Sequence, residues 1–215
     1  MSGVQAIMSA VGCIFAKNAK MQLMPSLKTF DYNLLRSHIS ENINQIYLCT
    51  QRGDDEQIDI LMIELENLSY GETLGKTCQT LFTILDEMNN HDPAKECCMK
   101  EKIDSPTWAY RFNNVTFYIV VIAPCYDNSS SRYSYGSNST FVVLQPAESF
   151  KRKHLTGETE ISKETKNKIR DTFKDRGQEY NLSITQGDYE CYRFIKPLVN
   201  SDPVVRWWEE STWLS

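Results

Sequence analysis

The chain has 215 residues, of which 41% are hydrophobic and 24% are charged, and its formal net charge is −5 at pH 7. This composition is typical of a globular protein, and the length predicts a single domain, residues 1–215. The acidic balance gives no electrostatic reason to bind a nucleic acid or an anionic membrane, and no apolar stretch reaches the roughly 20 residues of a membrane span.

Seven cysteines are present, and several of them lie within apolar patterns. An odd number of cysteines in such positions is typical of reduced thiols in a cytoplasmic protein rather than of a disulfide framework. The N-terminal run 4–16 is weakly apolar, but no Lys or Arg precedes it. We therefore interpret this run as core structure rather than as a signal peptide.

The first half of the chain predicts two helices and one strand. Residues 31–47 carry apolar side chains at helical spacing, and Asp31 is suited to cap the first turn. The short apolar run 58–65 predicts a strand. A wide apolar stripe along residues 71–89 predicts a second helix, and the charged segment 91–105 predicts a loop.

The strongest strand signal lies in the middle of the chain. Residues 108–112 alternate aromatic side chains with others, which is the period of a half-exposed strand. Asn113 and Asn114 tolerate positive φ and predict a tight turn. Almost every residue of 115–123 is β-branched or aromatic, so we expect a central strand covered on both faces. A further strand is predicted at 140–144.

The last third predicts a polar helix at 161–176, a late strand at 189–194 and a tail helix at about 202–214. Asp202 and Pro203 are typical of a helix start, and the tail holds three of the four tryptophans. We expect the tail helix to pack on the domain, the alternative being that it docks a partner. Strands joined by a hairpin, with helices before and after them, predict an α+β fold with a mainly antiparallel central sheet and helices packed around it.

The loop 124–136 is the most suggestive segment for function, because a loop at the end of a buried strand often forms the edge of a pocket. Arg132 offers a permanently charged, planar fork for a carboxylate or a phosphate. Tyr126 and Tyr133 offer hydroxyl groups. Composition alone favours the alternative, which is a solvated hairpin connection.

Other chemical signals in the sequence are weaker. Cys13 follows an apolar run, where its thiolate would be a ligand for a soft metal or for haem iron, although spacing alone favours a buried structural cysteine. His91 stands beside Asp92, a pair too common to define a catalytic dyad. The sequence has no dinucleotide-binding or Walker-type glycine motif, and no Cys or His spacing typical of zinc.

In chain order, the segments resemble those of the YqcI/YcgG family. The stretches that carry the likeness are GCIFAK, ETLGKTCQTLFTILDEMN, HDPAK, SPTWAYRFNNVTFYIVVIAPCY, SRY, TFVVLQPAESF, KIRD and YECYRFIKP. The likeness runs from about Cys13 to Pro197 and is strongest from Trp108 to Phe150.

The resemblance implies a haem-dependent monooxygenase that hydroxylates the guanidino nitrogen of arginine or of a similar small substrate. Oxygen activation in such an enzyme needs O2 and an external electron donor. Cys13 matches the early cysteine of the family and is implied to ligate the haem iron, with donation that favours O–O bond cleavage. Arg132 matches the family's S-R element and Arg170 its late helix, and each is implied to pair with a haem propionate or a substrate carboxylate. In such an enzyme we expect Arg132 and the nearby Tyr126 and Tyr133 to orient the substrate.

Three positions depart from the family pattern and support an alternative. Gly12 replaces the proline that usually precedes the early cysteine, and Ala147 stands where many relatives have Arg. The loop from Pro124 to Arg132 lacks the His that it often carries in relatives. These departures favour a non-catalytic binding or interaction protein with the same fold. The sequence leaves the oligomeric state open, with a homodimer among the alternatives.

Overall fold

The computed structural model describes residues 4, 7, 19–51, 58–152, 163–178 and 181–214. In these ranges the chain forms one five-stranded sheet with helices packed around it, which confirms the predicted α+β class. The strands are β1 (Met21–Leu23), β2 (Ile60–Leu65), β3 (Arg111–Phe112), β4 (Val115–Ile122) and β5 (Thr140–Pro146).

The sheet order is β1-β2-β5-β4-β3. Only the β1–β2 pair is parallel among these described strands, and the other three neighbouring pairs are antiparallel. The sheet is therefore mainly antiparallel, as predicted.

The structure corrects the expected position of the strand at 115–123. This strand is β4, and it lies fourth in the order, whereas the middle position belongs to the more fully buried β5. Tyr118 is 38% exposed, and Thr116 and Val120 are half-buried, so one face of β4 is incompletely covered. The prediction failed because β-branched and aromatic residues also suit a half-covered face of a sheet.

Tight local structure connects β3 to β4 as the sequence predicts. Asn113 and Asn114 have φ values of 52° and 60°, so both residues of the turn are in the left-handed region. Asp92 fixes this turn, because its carboxylate accepts hydrogen bonds from the backbone N–H groups of Asn113 (2.7 Å), Ala94 (3.2 Å) and Glu96 (3.0 Å). The charged loop is thereby tied to the hairpin.

Helices surround the sheet at α1 (Tyr32–Glu41), α2 (Ile43–Leu48), α3 (Leu74–Asn90), α4 (Ala147–Arg152), α5 (Lys163–Lys174), α6 (Leu182–Gln186) and α7 (Glu210–Trp213). Short 3-10 helices lie at Leu68–Tyr70, Cys98–Lys100 and Glu190–Arg193. The predicted helix at 31–47 is interrupted at Asn42, but its start is confirmed. The Asp31 carboxylate caps α1 by accepting from the N–H groups of Asn33 and Leu34. Among the described helices, none is long and apolar enough to cross a bilayer.

The sheet has apolar residues packed on both faces. The larger cluster includes Leu61 and Phe117 from the sheet and Leu81 from α3, all fully buried. The smaller cluster is formed by strand residues that alternate with those of the larger one, such as Ile60 and Met62. It also includes Val4 and Ile7, which agrees with the interpretation of the N-terminal run as core. The rest of that run lies outside the described residues.

The late strand predicted at 189–194 is wrong, because this segment contains the 3-10 helix Glu190–Arg193. Cys191 and Phe194 are fully buried and the residues between them are half-buried. The buried positions are therefore three residues apart, which is the repeat of a 3-10 helix rather than of a strand.

The tail also differs from its predicted form, since helix is present only at Glu210–Trp213. Val205 and Trp207 are buried, whereas Arg206 between them is exposed, which is the spacing of an extended chain. The Trp207 ring is fully buried against Trp108 and Phe194, and its Nε1–H donates to the Cys191 carbonyl (2.9 Å).

We expect Trp207→Ala to lower the free energy of unfolding by about 3–5 kcal/mol, because it empties a large buried site and leaves a carbonyl without its donor. Trp208→Ala is the matched control, since its ring is half-buried at the surface of the same cluster. Chemical denaturation should show a clearly smaller loss for the control. Small losses in both variants would show that the tail is not a core element.

Candidate functional site

The loop that follows β4 folds back onto the end of its own strand. The Ala123 N–H donates to the Arg132 carbonyl (3.2 Å), and Ala123 and Tyr133 form a parallel bridge. The Cys125 N–H donates to the Gly71 carbonyl just before α3 (2.9 Å). These contacts hold the loop at a fixed place at the end of β4, while Asp127, Asn128 and Ser129 are exposed to solvent as composition favoured.

Beneath this loop lies the segment 191–196, which comprises the end of the 3-10 helix Glu190–Arg193 and the buried residues that follow it. Arg132 donates from Nη2 to the Arg193 carbonyl (2.6 Å), and Tyr126 donates its hydroxyl proton to the Lys196 carbonyl (2.7 Å). The Val121 N–H of β4 donates to the Phe194 carbonyl (3.3 Å). Side chains of the loop therefore replace the strand partner that this segment lacks.

Charged side chains collect at the same place. The Lys196 ammonium donates to Ser131 Oγ (3.0 Å), and Arg193 pairs through Nη1 with the Glu190 carboxylate (2.7 Å). Arg132 and Lys196 are only 8% and 5% exposed. We call Tyr126, Arg132, Glu190, Arg193 and Lys196 the buried polar cluster.

Burial changes the protonation of this cluster in two places. It lowers the pKa of the Lys196 amine well below its usual value, and the positive charge of Arg132 adds to that effect. It also raises the pKa of the Glu190 carboxyl, an effect that Arg193 and Arg132 oppose. The cluster thus contains an amine that gives up its proton more readily than an exposed lysine and a carboxyl that retains its proton more readily than an exposed glutamate.

The structure brings together some of the residues that the sequence selected and separates others. Tyr126 and Arg132 both belong to the buried polar cluster. Tyr133 is half-buried beside it and packs against Tyr135, with ring centroids 5.3 Å apart. Arg170 lies on α5, where its Nη1 donates to Asn167 Oδ1 one turn earlier (3.4 Å). Cys13 lies outside the described residues.

Sequence reasoning missed Glu190, Arg193 and Lys196. A signal was present, because YECYRFIKP places three charged residues in an otherwise apolar and aromatic segment. Interpreting residues 189–194 as a half-exposed strand assigned Glu190 and Arg193 to solvent. The loop after β4 covers Lys196, which is buried, whereas Glu190 and Arg193 are half-buried.

The thiols of the described residues test whether a haem iron ligand is present there. Burial raises the pKa of the thiols of Cys49, Cys78 and Cys191 to about 12 and that of Cys98 to about 11. Burial also raises the pKa of the Cys125 thiol. In the metal-free chain each of these five sites therefore favours the neutral thiol over the thiolate that ligates iron.

Clusters of metal-binding residues are a separate question, because haem iron takes its proximal ligand from a single side chain. The described part of the chain contains no group of three or more His, Cys, Asp or Glu side chains that could hold a metal ion. The buried polar cluster, with three cationic side chains, has donors suited to a propionate or a carboxylate. The described residues of this cluster thus offer donors to the anionic part of the implied cofactor.

Comparison of the chain with models of protein families identifies one family. A model of the YqcI/YcgG family matches residues 6–190, which is most of the chain. The chain belongs to the YqcI/YcgG family. Neither the curated proteins nor the solved structures contain a match to it. This YqcI/YcgG protein has Arg132 and Glu190 within the matched residues, whereas Arg193, Lys196 and Trp207 lie beyond them.

The lowered pKa of Lys196 predicts how the stability of this YqcI/YcgG protein depends on pH. Between the lowered folded value and the unfolded lysine value near 10.4, the unfolded chain binds more protons than the folded one. The free energy of unfolding should therefore rise with pH in that window, by at most about 1.4 kcal/mol per pH unit.

Lys196→Met keeps the apolar stem and removes the titrating amine. The difference in unfolding free energy between the wild type and this variant should increase from pH 7 to pH 9.5 in denaturant titrations. Lys174→Met, on the exposed end of α5, is the control and should show a constant difference. A constant difference for Lys196→Met as well would contradict the lowered pKa.

Proposed function

We propose that this protein is a haem-dependent monooxygenase that hydroxylates a nitrogen atom of a small amino acid or guanidino substrate such as arginine. The observation that carries the proposal is the family match over residues 6–190, which includes both Cys13 and the loop after β4. Cys13 would hold the iron. Arg132, in the buried polar cluster, would pair with a haem propionate or with the carboxylate of the substrate.

When bound, haem would supply O2 activation, in which one oxygen atom is added to the substrate nitrogen and the other leaves as water, at the expense of two protons and two electrons from an external donor. The chain's own residues would bind and orient the haem and the substrate. Arg132 has its guanidinium fixed by the Arg193 carbonyl, so it would present charge without first losing side-chain freedom. The Glu190 carboxyl would hold a proton, and the Lys196 amine would give one up, in a place from which water is largely excluded.

A second candidate is a binding protein that keeps the fold without the chemistry. One observation favours it, namely that Arg132 and Tyr126 already donate to backbone carbonyls and so have structural duties. This candidate predicts ligand binding without haem. A 100-fold excess of an arginine analogue over its Kd should then add about 2.7 kcal/mol to the free energy of unfolding of the haem-free chain.

Reconstitution with haemin separates the two candidates. We expect a stoichiometric complex with a Soret band, and a ferrous–CO spectrum with the red-shifted Soret band of thiolate ligation. Cys13→Ala should abolish the thiolate spectrum. Cys97→Ala is the control, since Cys97 is a half-buried thiol in a loop. Absence of a Soret band, or a spectrum unchanged by Cys13→Ala, would exclude Cys13-ligated haem and leave the binding protein.

Turnover tests the substrate part of the proposal. The haem-loaded protein, given arginine, O2 and a chemical or protein electron donor, should form a product heavier by one oxygen atom. Arg132→Lys keeps the charge but loses the planar fork, so we expect the KM for arginine to rise about tenfold, which corresponds to about 1.4 kcal/mol. Arg176→Lys, on an exposed side chain, should leave KM unchanged. A haem complex that produces no oxygenated product from any guanidino compound tested would refute the assigned chemistry.

A further inference from the structure

The C-terminal ends of α1 and α3 place a serine, a histidine and a glutamate in one hydrogen-bonded row. Ser40 Oγ lies 3.0 Å from His91 Nε2. The other ring nitrogen, His91 Nδ1, lies 3.3 Å from Glu87 Oε1 and 3.1 Å from the Glu87 carbonyl oxygen. None of these residues belongs to the buried polar cluster.

The surroundings of His91 decide which ring nitrogen carries the proton. Both neighbours of Nδ1, a carboxylate and a backbone carbonyl, are oxygen atoms that only accept hydrogen bonds. The proton of the neutral ring therefore lies on Nδ1, and Nε2 presents its lone pair. The Ser40 hydroxyl must then donate to Nε2, so its proton points at a base.

The Glu87 carboxylate also accepts a hydrogen bond on the oxygen that does not face His91. Arg36 Nη1 donates to Glu87 Oε2 (3.2 Å) and to Asp86 Oδ2 (2.8 Å). The Glu87 side chain is 13% exposed, whereas that of His91 is 38% exposed. The group that orients the imidazole is thus shielded, while the imidazole remains open to a small molecule.

We propose that Ser40, His91 and Glu87 form a reactive-serine site that takes acyl or phosphonyl groups from small activated esters. Ser40 Oγ bonds to the acyl carbon while its proton passes to His91 Nε2, and the alcohol leaves with that proton. Water then attacks the acyl-serine by the same route, which releases the acid and regenerates the hydroxyl. Glu87 is the positioning residue that fixes the ring and its tautomer.

The position of Ser40 limits the rate of the second step. Ser40 lies in the last turn of α1, where a helix presents carbonyl oxygens rather than N–H groups. That end of the helix supplies no donors to stabilise an oxyanion, so we expect slow turnover. Stoichiometric labelling is therefore the more sensitive measurement.

The experiment uses the full chain without added haemin, so it is independent of the proposed oxygenase. Incubation with a fluorophosphonate should form a Ser40 Oγ–P bond with loss of fluoride, and peptide mass mapping should place one label at Ser40. Ser40→Ala should abolish the label. Ser37→Ala is the matched control, an exposed serine one turn earlier on the same helix, and should retain it.

Two further variants test the base and its orientation. His91→Ala should slow labelling on the order of 10²-fold, the usual contribution of a general base. Glu87→Gln should slow it, whereas Asp86→Asn, which alters the other partner of Arg36, should not. Labelling by p-nitrophenyl acetate should follow the same order of variants.

Each result decides the proposal, provided that the thermal unfolding of every variant confirms folding. A label placed elsewhere, no label at all, or labelling of Ser40 at an unchanged rate in His91→Ala would overturn it. Unchanged labelling in a folded Glu87→Gln variant would remove Glu87 from the site.

Discussion

The buried carbonyl groups of the segment 191–196 are the constraint on which much of this structure depends. The end of a short 3-10 helix leaves carbonyl groups without partners, and an unsatisfied buried carbonyl is costly. Four donors meet this need from three other parts of the chain: Trp207 Nε1, Arg132 Nη2, the Val121 N–H and the Tyr126 hydroxyl. One element of secondary structure is thus replaced by side chains that come from the loop after β4 and from the tail.

This arrangement explains why charge accumulates beneath the loop. The donors that satisfy carbonyl groups are polar, so building the segment into the protein brings Arg132 and Tyr126 inside with it. Burial of the Lys196 amine lowers its pKa, and the positive charge of the buried Arg132 adds to that effect. Arg132 therefore both satisfies a buried carbonyl and contributes to the altered protonation of the lysine.

How much of this could be predicted depends on the range of the interaction concerned. The cap at Asp31 and the turn at Asn113 and Asn114 were predictable because the deciding contacts lie within three residues. The 3-10 helix within 189–194 was not predictable. Six residues are too few to distinguish the two-residue repeat of a strand from the three-residue repeat of a 3-10 helix when aromatic side chains occupy half-buried positions. The buried polar cluster depends on contacts such as Arg132 to Arg193, 61 residues apart, for which the sequence contains no local signal. Arg132 was selected from the loop itself and then matched by the family resemblance, but its hydrogen bond to a carbonyl was not predicted.

The helix α3 connects these local and distant features, because each of its ends is tied to one end of β4. Before the helix, the Gly71 carbonyl accepts from the N–H of Cys125, which follows β4, and after it Asp92 holds the turn at Asn113 that precedes β4. The 17 residues of α3 span about 26 Å, and the 8 residues of β4 span about the same. Equal lengths allow both ties to form without a bend in either element. The same helix therefore fixes the loop over the buried polar cluster at one end, while at its other end it carries Glu87 and His91 to the surface beside Ser40.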